Sequence, residues 1–265
     1  MNLKEKYGQV AMVAGASEGI GAAYSNRLAA EGMDLILIAR RRETLEQLAS
    51  SIRDKYSTDV SVICCDLSEP GAAQFIKETV REREINLLVY NAALSHIGPF
   101  ENDTVEHNTA IANCNMITPM NIARVFGEDM LKRGKGALIF MASMAGFQGS
   151  GFLASYAATK AFNRVLAESL WYEWKNRGVD VIACCAGATS TKNYLRTNPG
   201  ESGFFAPRVL TPEEVVEECF KRLGKKPSFV AGAGNRLASF VMQRLLPRKT
   251  AINIMGDNTR KIYRL

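Results

Sequence analysis

Residues 15–21 read Gly15-Ala16-Ser17-Glu18-Gly19-Ile20-Gly21, between an apolar run at 9–14 and a segment of helical period at 20–31. Glycine has no Cβ to hold a ligand off, and a helix N-terminus offers unpaired N–H groups. A glycine cluster joining a first strand to a first helix therefore suits an anion such as a phosphate. The spacing is Gly-x3-Gly-x-Gly, not Gly-x-Gly-x-x-Gly. A tight turn is the competing reading, and the strand-to-helix position favours the phosphate loop.

Outward from this loop, apolar runs at 34–39, 60–65, 85–90, 136–142, 179–185 and 228–231 alternate with helical segments at 43–56, 71–82, 104–131, 154–176 and 212–223. Seven near-continuous Val/Ile/Leu/Ala/Cys runs separated by helices predict strands buried on both faces. That is the α/β class: one Rossmann-like, doubly wound domain with a seven-stranded parallel sheet and helices on both sides. Three places break the pattern. Pro119 removes a backbone donor inside 104–131, so carbonyls at or just before Asn115 lose helical partners. Residues 186–210 are irregular yet carry Tyr194, Phe204 and Phe205 among Gly187, Pro199, Gly200, Gly203 and Pro207. Residues 247–265 show no clear period and are expected to be a tail, leaving 1–246 as the domain.

Composition excludes disordered and fibrous classes, since 47% of the 265 residues are hydrophobic and 23% charged. The net charge of +6 invites nucleic acid, but its distribution argues otherwise. Residues 221–265 hold eleven Lys or Arg against Asp257 alone, a local +10, which leaves the first 220 residues at −4. No run of 18 apolar residues and no signal-peptide layout is present, so a cytoplasmic protein without a membrane span is expected. Of six Cys, Cys64/Cys65 and Cys184/Cys185 sit in strand-like runs as small buried hydrophobes. No CxxC or His-paired spacing suggests a metal.

In such sheets ligands bind beyond the carboxyl ends of the strands, near the reversal of strand order. The second strand ends Ala39-Arg40-Arg41-Arg42, without the acid that would take ribose hydroxyls. Guanidinium forks at Arg40 and Arg41 suit a 2′-phosphate, which points to NADP(H). Asp66-Leu67 after the third strand and Asn91-Ala92 after the fourth place small polar groups on the same rim, for the adenine and the adenosine ribose. Ser143 follows the fifth strand, and Tyr156 and Lys160 are spaced i, i+4 on one helix face. A cation beside a phenol favours the phenolate, bringing Tyr156 towards working pH as a general acid/base, with Ser143 holding the substrate oxygen.

Taken together, the glycine loop, Asp66, Asn91-Ala92-Ala93, Asn115, Ser143, Tyr156-Ala157-Ala158-Thr159-Lys160 and Gly187 to Thr191 resemble the short-chain dehydrogenase/reductase family in order and spacing. The resemblance implies cofactor contacts from Gly15, Ser17, Glu18, Gly19, Ile20 and Gly21, and a catalytic tetrad. Asn115 would order a water, Ser143 position the carbonyl, Tyr156 carry the proton, and Lys160 lower its pKa and bind the nicotinamide ribose. It also implies that Gly187 to Thr191, with Thr189 and Thr191 near the amide, shields the nicotinamide. Ala93 and Ala186 stand where the family commonly has Gly and Pro.

The segments expected to enclose substrate, 94–100, 144–153 and 192–206, supply Leu94, His96, Met144, Phe147, Phe152, Leu153, Tyr194, Phe204 and Phe205, a lining for a bulky apolar molecule. Residues 1–8, 210–214 and 223–226 are similar to bacterial bile-acid hydroxysteroid dehydrogenases, and 32–40 to ketoacyl reductases. The expected function is NADP(H)-dependent interconversion of a hydroxyl and a ketone on a steroid, with position 7 or 12 of a bile acid favoured and Lys192, Arg196 or Arg208 as anion partners. The alternatives are a reductase of 3-ketoacyl or other hydrophobic ketones, and a non-catalytic binding protein on the same fold. Residues 104–131 and 154–176 carry apolar positions beyond one sheet face, and the resemblance implies that these helices pair between subunits, so a homodimer or homotetramer is expected.

Overall fold

The computed structural model describes residues 2–81, 83–197, 199 and 208–265. Seven parallel strands, β1 (Val10–Ala14), β2 (Asp34–Ala39), β3 (Val60–Cys64), β4 (Leu87–Tyr90), β5 (Gly136–Ser143), β6 (Val179–Ala186) and β7 (Ser228–Val230), form one sheet in the order β3-β2-β1-β4-β5-β6-β7. Around it lie α1 (Leu3–Tyr7), α2 (Gly19–Ala30), α3 (Arg42–Tyr56), α4 (Ala72–Val80), α5 (Val105–Ala112), α6 (Thr118–Arg133), α7 (Ala154–Trp174), α8 (Lys192–Arg196), α9 (Pro212–Arg222), α10 (Ala233–Phe240) and α11 (Arg248–Tyr263).

The two-residue period of a strand divides the core. Ala11, Val13, Leu35, Leu37, Ile139, Met141, Ile182 and Cys184 pack with α2, α3 and α9, whereas Met12, Ala14, Ile36, Ile38, Leu138, Phe140, Ala183 and Cys185 pack with α4, α6 and α7. The adjacent cysteines therefore enter opposite core layers, both free and buried, as expected of small hydrophobes. Strand order reverses between β2-β1 and β4-β5, with Ala14 level with Ile38 on one side and Tyr90 on the other. The ends of β1 and β4 thus frame the crevice.

Differences from the predicted pattern have local causes. The expected helix at 104–131 is divided by a π turn at Asn113–Ile117, where Thr118 N–H donates back to Asn113 O and Pro119 stands in the first turn of α6. Residues 247–265, expected as an aperiodic tail, contain the helix α11. Its buried positions are the small Ala251 and Thr259, while Ile252 and Ile254 are exposed, so the apolar residues do not trace the buried stripe. Helices α1, α8 and α10 were not predicted. Helix α9 does start where Thr211-Pro212-Glu213-Glu214 signals it, with a complete capping box. Among the described residues no helix is long and apolar enough to cross a membrane. Glu82, the predicted end of the third helical segment, and Gly200, Gly203, Phe204, Phe205 and Pro207 lie outside the described residues.

Candidate active site

The glycine loop closes on the crevice by backbone approach. At Gly15, with φ +80°, a Cβ would lie 2.6 Å from Ala92 N, and at Gly21 it would lie 2.0 Å from Gly15 O. Asn91 Nδ2 donates to Gly15 O at 2.9 Å, which ties the end of β4 to the loop. Gly19, with φ +59°, faces the Thr191 methyl, where a Cβ would meet Cγ2 at 2.8 Å. Bare backbone over the N-terminus of α2 is the space a pyrophosphate needs, so these residues fit a dinucleotide. Gly21→Ala should consequently raise the dissociation constant for NADPH by tenfold or more and lower Tm, as read by fluorescence titration and thermal melting.

On the far rim, Arg40 Nη1 lies 3.5 Å from Asp66 Oδ2, and Arg41 Nη2 lies 3.0 Å from Glu18 Oε1 and 3.5 Å from Ser17 Oγ. Arg196 also approaches Glu18, at 3.7 Å. Both Arg40 and Arg41 are exposed enough to reach a phosphate, but each shares its charge with an acid that local spacing did not reveal. Burial raises the Asp66 carboxyl, yet the Ser68 hydroxyl and N–H with Arg40 outweigh it and hold Asp66 below the usual carboxylate range. Leu67, expected among the cofactor contacts, instead puts its side chain in the core, while its carbonyl accepts from Thr118 Oγ1 at 2.8 Å. Gly187 abuts the buried Asn235, where a Cβ would lie 2.8 Å from Nδ2, and Asn235 in turn donates to Ala231 O. Thr189 Oγ1 turns back to Gly187 O, and Thr191 Oγ1 caps α8 by accepting from Tyr194 N.

Ser143 ends β5, and the turn after it runs against α7. A Cβ on Gly146 would lie 2.6 Å from Ala161 N, so only glycine lets the two backbones come this close. This approach brings the Ser143 hydroxyl near enough to Tyr156 to influence its phenol. Lys160 Nζ sits 5.6 Å from the Tyr156 ring centre and donates to Met141 O at 2.7 Å. Asn115 is fully buried. Its Oδ1 accepts from Leu94 N, and its Nδ2 donates to Leu94 O and to Thr159 Oγ1, at 2.8, 2.8 and 3.0 Å. The side chain therefore clamps the loop after β4 to α7, and Pro119 can offer no N–H to the carbonyls of the π turn that precedes it. Cys114 O in the same turn accepts from Tyr90 Oη at 2.5 Å.

The electrostatics qualify one expectation. Burial pushes the Tyr156 phenol above its ordinary range, the Ser143 hydrogen bond offsets part of this, and nearby Tyr263 adds to it. Burial drives Lys160 down to about 8, against weaker opposition from Cys114 and Cys185. The chain's own groups thus hold Tyr156 as the neutral phenol rather than lowering its pKa.

On the substrate side, Gly98 N donates to Phe152 O at 3.0 Å, joining two of the expected segments. Helix α11 then packs on the second. Ile252 lies about 3.7 Å from where a Gly149 Cβ would be, Gly151 and Gly256 approach backbone to backbone, Arg260 stacks 5.1 Å from the Phe152 ring centre, and Arg248 Nη1 donates to Phe147 O. Tyr263, at the end of α11, lies near both Tyr156 and Tyr194. Sequence reasoning missed Gly146, Asn235 and Tyr263, and only the small-residue stripe of α11 could have signalled the last. His96 is directed into a cluster with Asp103 and His107.

With this geometry in place, the family comparison is specific. The short chain dehydrogenase profile matches residues 9–201, and the chain belongs to that family of oxidoreductases. It is 34% identical over 238 residues to a 7beta-hydroxysteroid dehydrogenase of Collinsella aerofaciens, covering 89% of this chain and 90% of that protein. A solved structure concerned with 7beta-hydroxysteroid dehydrogenase stereoselectivity superimposes with a TM-score of 0.90 at 32% identity, over 96% of this chain and 99% of the other. A short-chain dehydrogenase from Sphingobium yanoikuyae in complex with NADPH aligns with a TM-score of 0.74 at 29% identity, covering 84% and 87%.

Proposed function

We propose that this chain is an NADP(H)-dependent hydroxysteroid dehydrogenase that interconverts a hydroxyl and a ketone at position 7 of a bile-acid nucleus. One observation carries the substrate assignment. The likeness to the 7beta-hydroxysteroid dehydrogenase structure covers 96% of the chain, and therefore extends past residue 201, where the family profile ends, into the region of α10 and α11 that builds the wall around Phe147 and Phe152. Phe147, Phe152 and Ile252 give that wall an apolar and aromatic part, as a flat steroid requires, beside the cations Arg248 and Arg260.

Ketone reduction needs a hydride at carbon and a proton at oxygen, and bound NADPH supplies the hydride. Tyr156, held as the neutral phenol, donates the proton from Oη, and Ser143 Oγ hydrogen-bonds the same oxygen and aligns it. Lys160, buried beside the ring, reprotonates Tyr156 and meets the nicotinamide ribose. Gly15 to Gly21 cradle the pyrophosphate, Asn91 fixes the loop, and Arg40 and Arg41 take the 2′-phosphate. Exposed Met120 on α6 and Val165 and Tyr172 on α7 support a homo-oligomer joined through these helices.

The substrate reading is tested by ranking kcat/KM over steroid ketones and 3-ketoacyl thioesters, with the steroids expected to lead and a thioester lead to reverse the assignment. For the cofactor, Arg40→Asp should weaken NADPH by roughly tenfold or more and NADH by far less, since a bidentate charge-assisted contact is worth about 1.5–3 kcal/mol. Equal losses for the two cofactors would remove Arg40 from the 2′-phosphate.

A further inference from the structure

Between the loop after β4 and the start of α5, two imidazoles and a carboxylate converge. Asp103 Oδ1 lies 2.6 Å from His107 Nδ1 and 3.8 Å from His96 Nδ1, and one ligand atom from each of the three residues lies within 4.8 Å of the others. The Asp103 side chain is only 6% exposed, and its Oδ2 is buried without a hydrogen-bond partner. Oδ1, by contrast, accepts from Thr104 N–H at 3.0 Å as well as facing His107.

The tautomer of His96 follows from its other neighbour. Nε2 lies 3.2 Å from Pro99 O, which can only accept, so Nε2 carries the proton and the neutral ring turns the lone pair of Nδ1 towards the carboxylate. A buried carboxylate and an imidazole lone pair are two electron-rich groups turned on one small space, an arrangement that a cation stabilises. Two imidazole nitrogens and one carboxylate oxygen are the donor set of zinc-type ions, whereas magnesium and calcium call for more oxygens. The Pro99 carbonyl on Nε2–H is the outer partner that typically orients a histidine ligand.

We propose that His96, Asp103 and His107 form a binding site for one zinc-type divalent transition-metal ion, separate from the hydride-transfer centre. Ligation through His107 Nδ1 uses the neutral tautomer that carries its proton on Nε2, so the hydrogen bond to Asp103 gives way to a bond to the ion. Both rings are partly accessible, so an ion can reach them from solvent. The ion joins the loop held by Asn115 at Leu94 and by Phe152 at Gly98 to the N-terminus of α5, and so stiffens one wall of the substrate cleft.

The test is calorimetric titration of the chelator-treated, tag-free full chain with zinc chloride, which does not depend on turnover. One zinc per chain is expected, with affinity reduced about tenfold or more in both His107→Gln and Asp103→Asn. It should be unchanged in Cys64→Ser, which removes the one partly exposed thiol among the described residues. Thermal melting with and without zinc checks that the variants are folded, and Asp103→Asn keeps an acceptor for Thr104 N–H should His107→Gln fold poorly. Absence of stoichiometric zinc uptake by the wild type, equal affinity in the variants, or loss of binding only in Cys64→Ser would each overturn the site.

Discussion

Tyr156→Phe is expected to lower kcat for ketone reduction by roughly 10²–10⁴-fold, the usual contribution of a positioned general acid. NADPH affinity should stay within about twofold. The ring remains, so the apolar contacts it makes from α7 are preserved, and Ser143 Oγ still accepts from Ala145 N at 3.2 Å, so the serine is not stranded by loss of the phenol. Only the hydroxyl proposed to deliver the proton is removed. Because burial holds Tyr156 above its ordinary pKa, the donor form persists through neutral pH, and the reduction rate of the wild type should show no loss attributable to Tyr156 on going from acid to neutral pH. A variant that retains more than a tenth of wild-type kcat, measured under single-turnover conditions, would show that another group carries the proton.

Lys160→Met should lose activity by roughly 10²-fold or more and yet gain stability. Lys160 is 3% exposed, and burial takes it from 10.5 to about 8, so its ammonium disfavours the native state by about 3 kcal/mol. The lost hydrogen bond to Met141 O returns about 1 kcal/mol of that. The sign in pH follows. Between about 8 and 10.5 the unfolded chain binds more protons at this site than the folded one, so wild-type stability rises with pH through that window, while below 8 the whole penalty is present. The advantage of Lys160→Met is therefore largest at neutral pH, with Tm up by several degrees, and closes as pH approaches 10.5. Thermal melts of both proteins across this range check it, and a variant that is less stable at pH 7 contradicts it. A buried cation kept at such a cost is consistent with the role proposed for Lys160.

The strands were legible because both faces of a parallel sheet are buried, which makes each a near-continuous apolar run. The switch-point loop was legible because only glycine tolerates the approaches at Gly15 and Gly21. Pro119 disclosed the break before α6 because a missing N–H has a fixed address, one residue after Thr118, whose N–H closes the π turn on Asn113. Long-range pairings had no such signal. The acids opposite Arg40 and Arg41, Asn235 behind Gly187, and Gly146 against α7 arise from distant segments meeting, and nothing in their own neighbourhoods announces it. Helix α11 was hidden because its buried face is made of Ala251 and Thr259 while its isoleucines face outward. The imidazole pair escaped because His96 lies on a loop and His107 on a helix, at a separation that no local metal-ligand spacing covers.

The most direct test of the central claim is incubation of the purified full chain with NADPH and a 7-keto bile acid, following NADPH absorbance and identifying the product by chromatography. The account predicts consumption of one NADPH per steroid and a product hydroxylated at position 7. Persistence of the ketone across a panel of bile acids, in protein that still binds NADPH, would contradict it.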